Sequence, residues 1–241
     1  MGGVRRALLS AVAGAVVVAG CGAEEEKQSS VPALQPLGPV VAAAPVTGSP
    51  TTDPDELTRR LLGPADLPGM TPVPDSRGPG QAEPAGPTAE TRPAQCARVL
   101  LPLAVQGTDP LTWNTVAYNG PNFSSIDIDA ASYSPEKLAA AFSTVQQTLR
   151  ECTEYSGNDA DGTAIEYRLG GLSQPPVGDA STAFELRTSS AGFTLISLVS
   201  IVQVGSVLAQ VTITAPESVE PAALTDLTAD QVARLRGVAG P

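Results

Sequence analysis

The side chains through which these 241 residues could do chemistry are three cysteines, a few closely spaced aspartates, four tyrosines and one tryptophan. Histidine is absent, which removes the group best suited to proton transfer near neutral pH and the commonest metal ligand. Asp127 and Asp129 stand two apart in an alternating segment, so both carboxylates fall on one face of a strand, where a solvated polar surface is expected rather than a metal or acid/base pair. Asp159-Ala160-Asp161-Gly162 has the opening of a calcium loop without a glutamate at the twelfth position, and reads as a turn. Gly170-Gly171 and Gly178-Asp179 carry no phosphate-loop pattern. A serine nucleophile would have to rely on Lys137, which falls in the exposed first turn of an expected helix. No catalytic residue, metal site or cofactor is expected, and the chain is not read as an enzyme.

The cysteines are more informative. Met1 to Gly20 runs from the basic pair Arg5-Arg6 through the apolar stretch Ala7 to Val18 and ends in Val18-Ala19-Gly20-Cys21. That stretch is shorter than the roughly 20 apolar residues a spanning helix requires, and it has the length of the apolar region of an export signal. The four residues resemble a bacterial lipobox, so residues 1–20 are expected to be a signal peptide and Cys21 a lipidated N-terminus, acylated and held in the cell membrane on its extracytoplasmic side. The alternative is an ordinary secreted chain with Cys21 as an incidental thiol, which leaves an odd cysteine outside the cell. Lipidation leaves Cys96 and Cys152 to pair.

Both of those cysteines fall on expected helices. Cys96, Val99, Leu100 and Leu103 follow helical spacing over Ala94 to Val105, with Pro102 ending or kinking the turn. Ser134-Pro135-Glu136 opens a stronger helix whose stripe is Leu138, Phe142, Val145, Leu149 and Cys152. Each sulfur points inward, so a Cys96 to Cys152 disulfide is expected, contributing roughly 4 kcal/mol in the chain-entropy account. Two buried, reduced thiols are the bland alternative, and redox catalysis is disfavoured by the absence of Cys-X-X-Cys.

The remaining elements must hold these pieces. Residues 21–52 are rich in Ala, Pro, Ser and Val without period and are expected to be a disordered tether, with the folded domain over 53–241. Asp53-Pro54-Asp55-Glu56 opens a short helix carrying Leu57, Leu61 and Leu62, with Asp53 as cap and Glu56 reaching back to it. Residues 64 to 93 read as a Pro/Gly-rich loop. Ile126 to Ala130, Ile165 to Leu169 and Phe184 to Leu186 alternate as strands with one wet face, whereas Phe193 to Val204 is apolar on both parities and should be central. Gly205-Ser206 suits a hairpin turn into Val207 to Ile213, and Thr228 with Gln231 reads as the capping box of a last helix to Arg236. The sum is an α+β domain: an antiparallel sheet of about six strands with helices packed on one face and one disulfide.

Net charge is −11, and it becomes more acidic once Arg5 and Arg6 leave with the signal, so a nucleic-acid partner is not expected. The order of features resembles the PknH-like extracellular domain, a sensor module of actinobacterial serine/threonine kinases and of many actinobacterial lipoproteins. The residues that carry the resemblance are Leu61-Leu62-Gly63-Pro64-Ala65-Asp66-Leu67-Pro68-Gly69-Met70, then Cys96, Trp113 with Tyr118, Tyr133, Leu149-Arg150-Glu151-Cys152, Gly178-Asp179 and the Val202 to Ile213 hairpin. It spans most of residues 54 to 236. It implies an antiparallel sheet with packed helices and a cleft for an extracellular ligand. The sequence departs from the kinase form in lacking a kinase segment and in having two cysteines after Cys21 where that form has four, so kinase activity is not expected of it.

The leading expectation is a non-catalytic, sensor-like lipoprotein that binds a small envelope molecule in a pocket lined by Trp113, Tyr118, Tyr133 or Tyr155. The plain alternative for those aromatics is completion of the core. The competing function is an interaction or lipid-carrying lipoprotein that docks a protein partner in the envelope.

Overall fold

A computed structural model describes residues 33–74, 90–107, 109–159, 161–216 and 218–237. The expected signal, Cys21, the first part of the tether and the middle of the 64 to 93 loop lie outside the described residues. By its contacts the chain divides into residues 1–33 and 34–241, and among the described residues the helices and strands belong to the second unit.

In chain order these are α1 (Pro54–Arg59), β1 (Thr71–Pro72), β2 (Glu90–Arg92), a 3₁₀ helix (Ala94–Leu100), α2 (Leu103–Gln106), β3 (Thr112–Asn119) and a short 3₁₀ turn (Pro121–Phe123). There follow β4 (Ser125–Ser132), α3 (Pro135–Glu151), β5 (Glu154–Asn158), β6 (Ala164–Gly171), β7 (Ala180–Ser190), β8 (Phe193–Val204), β9 (Val207–Ala215) and α4 (Pro221–Leu235). Among the described residues nine strands form one antiparallel sheet in the order β1-β3-β4-β9-β8-β7-β6-β5-β2, against about six expected, of which five are placed by sequence segment. The missed strands β1, β2, β3 and β5 are short or, as in Thr112-Trp113-Asn114-Thr115, mix polar and apolar residues on both parities.

Helices cover both faces of this sheet, not one. On one face α1 and α4 bring Leu57, Leu224, Val232 and Leu235 onto Ile128, Leu198, Val202 and Val211. On the other, α3 and the 3₁₀ helix bring Phe142, Val145 and Cys96 onto Ile201, Leu208 and Tyr133. The double parity of β8 is the cause: Leu198 and Val202 point one way, Val199 and Ile201 the other, and each set must leave water.

Cys96 and Cys152 are disulfide-bonded, with Cα atoms 5.5 Å apart, tying the 3₁₀ helix to the end of α3. The segment expected as one helix from Ala94 to Val105 is broken at Pro102, and Leu100 is turned outward at 39% exposure instead of inward. The last helix starts at Pro221, well before the expected cap. Thr228 and Gln231 are therefore interior and fully buried, not capping residues. Asp53 caps α1 as expected, accepting the Asp55 N–H at 2.9 Å, but Glu56 pairs with Arg60 rather than reaching back.

The largest difference is the expected tether. From Leu34 onward it lies along the domain as an extended strap. Its peptide groups, which water would otherwise satisfy, are taken by buried glutamine amides: the Val41 N–H donates to Gln146 Oε1 at 2.8 Å, and Gln146 Nε2 donates back to the Val41 carbonyl at 2.8 Å. Leu37, Val41, Ala43 and Val46 pack against the α3-side core. Gly171 permits the approach, because a Cβ there would stand 2.2 Å from the Pro36 carbonyl oxygen. The paired glycines at 170 and 171 thus serve strap contact.

Candidate functional site

The side chains of β4 that were expected to face water do not. Because the second face of the sheet is also covered, Asp127 and Asp129 look into a cleft between the sheet and the wall formed by Val99 to Pro102. Asp129 is only 8% exposed. The cleft has a volume of about 260 Å³.

Its floor is built by strand pairing. Register sets Asp129 beside Gln210, and it sets Asp127 beside Thr212, Thr212 beside Val199 and Val199 beside Phe184. Strand alternation then keeps Thr115, Ser197 and Leu186 on the same face, where they too line the cleft. The floor is mostly apolar on β7 and β8, which contribute Phe184, Leu186 and Val199 with Ser197 among them, and polar on β9, β4 and β3, which contribute Gln210, Thr212, Asp127, Asp129 and Thr115.

The polar half is internally ordered. Thr115 Oγ1 donates to Asp129 Oδ1 at 2.5 Å, and Gln210 Nε2 reaches Asp129 Oδ2 at 3.5 Å. Gln106 Nε2 in turn donates to the Leu101 carbonyl at 2.6 Å and approaches Gln210 Oε1 at 3.5 Å, which couples the wall to the floor. Asp127 accepts the Ser125 hydroxyl at 3.1 Å, and burial pushes its carboxyl above its ordinary value against that hydrogen bond.

The four aromatics proposed from sequence are not brought together. Tyr118 belongs to the opposite face, where its hydroxyl donates to the Leu62 carbonyl at 2.7 Å. Tyr133 is fully buried beneath α2, with its hydroxyl 3.3 Å from the Leu103 carbonyl, and burial pushes its phenol strongly up. Tyr155 stacks on Tyr167 with ring centroids 4.5 Å apart. Trp113 lines a second cavity of about 460 Å³ beside Thr52, Ala104 and Leu111, whose walls come from the ends of α1, α2 and β3 and the turn before β3. The first cleft has five consecutive paired strands, β3, β4, β9, β8 and β7, as its floor.

Sequence reasoning missed Asp127, Thr212 and Ser197 as cleft residues. The available signal was β8, whose two apolar parities call for cover on both faces and so place the aspartates under a second layer. Asp159 behaves as expected: its carboxylate accepts the Asp161 and Thr163 N–H groups at 3.0 and 2.7 Å in the β5–β6 turn. Gly178-Asp179 is structural, since Asp179 accepts the Gly205 N–H at 2.6 Å and pairs with Arg236 at 3.1 Å. Among the described residues no group of three or more His, Cys, Asp or Glu could hold a metal ion, and no helix is long and apolar enough to cross a membrane.

No protein-family model and no curated protein sequence matches the chain. Among solved structures, a putative uncharacterized protein, the Rv0999 ortholog from Mycobacterium smegmatis, aligns at 15% identity and a TM-score of 0.35 over 83% of this chain and 90% of that one. The extracellular domain of PknH from Mycobacterium tuberculosis aligns at 12% identity and a TM-score of 0.58, over 78% of this chain and 98% of that one. At that identity the likeness is one of architecture: the chain is similar in fold to the extracellular domain of PknH.

Proposed function

We propose that the chain is a membrane-anchored extracytoplasmic lipoprotein, acylated at Cys21, whose domain binds a small envelope ligand in the cleft over β3, β4, β9, β8 and β7 without catalysing a reaction. The observation that carries this reading is the cleft floor itself. Five paired strands hold apolar and hydrogen-bonding side chains in a fixed order inside a concavity, the mix that small-molecule sites use. Likeness in fold to a kinase's extracellular domain supports a sensor-like role, and the lipobox-like Val18-Ala19-Gly20-Cys21 supports the anchor.

Native mass spectrometry of the mature protein released from its own membrane tests this. The expected result is diacylglyceryl mass on the peptide beginning at Cys21, and a small-molecule adduct on the wild type that is absent from Ser197→Trp, which fills the cleft. An unmodified Cys21 overturns the anchor. An adduct that Ser197→Trp retains, or no adduct together with no thermal shift by envelope extracts, overturns the cleft.

A second reading is favoured by one end of the sheet. Phe123, at 90% exposure, and Phe193, at 78%, stand on adjacent tips, and Asn122 and Phe123 both adopt positive φ. Two exposed aromatics, Phe123 held at positive φ, suit an interaction lipoprotein that docks an envelope protein. Crosslinking on intact cells that depends on Phe123 and Phe193 decides for it.

A further inference from the structure

The cleft has a polarity as well as a volume. Three strand spacings of about 4.8 Å separate Phe184 on β7 from Asp127 on β4, so its apolar and acidic ends stand roughly 14 Å apart. The apolar end continues outward: Leu195 and Phe193 share the face of Ser197 and Val199 and are 38% and 78% exposed. Leu100, at 39% exposure, lines the cleft from the wall. At the polar end Asp129 is engaged by Thr115 and Gln210, whereas Asp127, beside Thr212, accepts the Ser125 hydroxyl and is the more exposed of the two carboxylates. No basic side chain lines the cleft among the described residues.

We infer that the cleft selects single-chain amphiphiles whose head donates hydrogen bonds, an ammonium best and a hydroxyl next, with the head at Asp127 and the chain laid across β8 and β7 toward Phe193. This rests on the cleft being the ligand site, and it adds the chemical class. A carboxylate or sulfate head is rejected because it would meet Asp127 in a desolvated site where like charges repel with little screening. An uncharged apolar molecule is also a poorer fit, because it would leave Asp127 and Thr212 facing hydrocarbon. The chain contributes by burial against Phe184, Leu186 and Val199, which are already mostly removed from water and pre-arranged.

The test is an NMR titration of the full mature protein with octylammonium, octyl glucoside and octanoate, reading Leu186, Val199 and Thr212. The expected order is octylammonium, then octyl glucoside, then octanoate, the last at least about tenfold weaker than the first. Asp127→Asn should bring octylammonium and octanoate to within about threefold of each other while Leu186 and Val199 still respond. Octanoate binding as tightly as octylammonium at these residues overturns the head preference and leaves the cleft as a site. An unchanged ratio in Asp127→Asn overturns the assignment to that carboxylate. If none of the three moves the cleft residues the inference falls as a whole, and the adduct lost in Ser197→Trp then judges the site separately.

Discussion

Gln203 and Ala44 form a closed amide pair across 159 residues of chain: the Ala44 N–H donates to Gln203 Oε1 at 2.8 Å, and Gln203 Nε2 donates to the Ala44 carbonyl at 2.9 Å. Gln146 holds Val41 in the same manner, and Gln231 holds the end of α1 by accepting the Leu62 N–H and donating to the Arg60 carbonyl, each at 3.0 Å. Three buried glutamines thus do for irregular chain what a neighbouring strand does for a strand. Gln203→Ala is expected to destabilise by about 1–3 kcal/mol, because two strap groups lose their partners. Hydrogen exchange at Val41 and Ala44 should accelerate more than at Leu198 or Val211. Unchanged strap protection in this variant contradicts the clamp.

The disulfide ties the 3₁₀ helix to the end of α3. Cys96→Ala/Cys152→Ala is expected to lower stability by about 2–5 kcal/mol. Thermal denaturation with and without reductant measures it, and equal melting temperatures for the oxidised and reduced wild type refute it.

Asp127 makes the fold pH-sensitive with a defined sign. Burial raises its folded-state pKa, and a carboxyl so raised gives its full stabilisation below the unfolded value near ~3.9 and loses it as pH climbs through the folded value. Asp127→Asn removes the charged form's cost, so at pH 7 the variant should melt above wild type. The gap should close as pH falls below about 4. A gap independent of pH, or a variant less stable at pH 7, contradicts the assignment. A stabilising substitution at a cleft residue is the expected mark of a group kept for binding.

Much of this was legible from residue spacing, and the failures share a cause. Helix α3, the β8–β9 hairpin and the cysteine pair follow from Leu138-Phe142-Val145-Leu149, from Gly205-Ser206 and from two inward thiols, all local patterns. The strap was not legible, because Val41 and Ala44 are held by glutamines distant in sequence and nothing in an Ala/Pro/Val stretch announces such partners. The start of α4 was misread because Thr228 and Gln231 have cap chemistry, yet their oxygens serve the Leu224 carbonyl and the Leu62 N–H inside the helix layer. The cleft was missed because Asp127 and Asp129 alternate as a wet face does, and alternation cannot tell water from a cavity.

Gly178 carries a φ of +70°, and a Cβ there would stand 2.4 Å from Val202 Cγ2 and 2.5 Å from the Gln203 carbonyl oxygen. Gly178→Ala should therefore cost at least about 2 kcal/mol, from left-handed backbone strain and overpacking together. Chemical denaturation reads this, and a change below about 0.5 kcal/mol would show that the β7 entry relaxes freely.

Tyr155 buries its hydroxyl without a hydrogen-bond partner among the described residues, and burial together with Tyr167 pushes its phenol up. Tyr155→Phe keeps the stack on Tyr167 and removes the unsatisfied oxygen, so stability should hold or rise by about 1 kcal/mol. A loss of that size would reveal a bound water or ligand on the hydroxyl.

Ligand binding in the cleft is the property on which the proposed function depends. The direct measurement is a methyl-labelled NMR titration of the mature protein with fractionated small molecules from its own envelope. The prediction is that Val99, Leu186 and Val199 shift together in at least one fraction while Leu224 and Val232 on the opposite face stay put. Shifts confined to the opposite face or to the sheet tips, or no shift in any fraction, would contradict it.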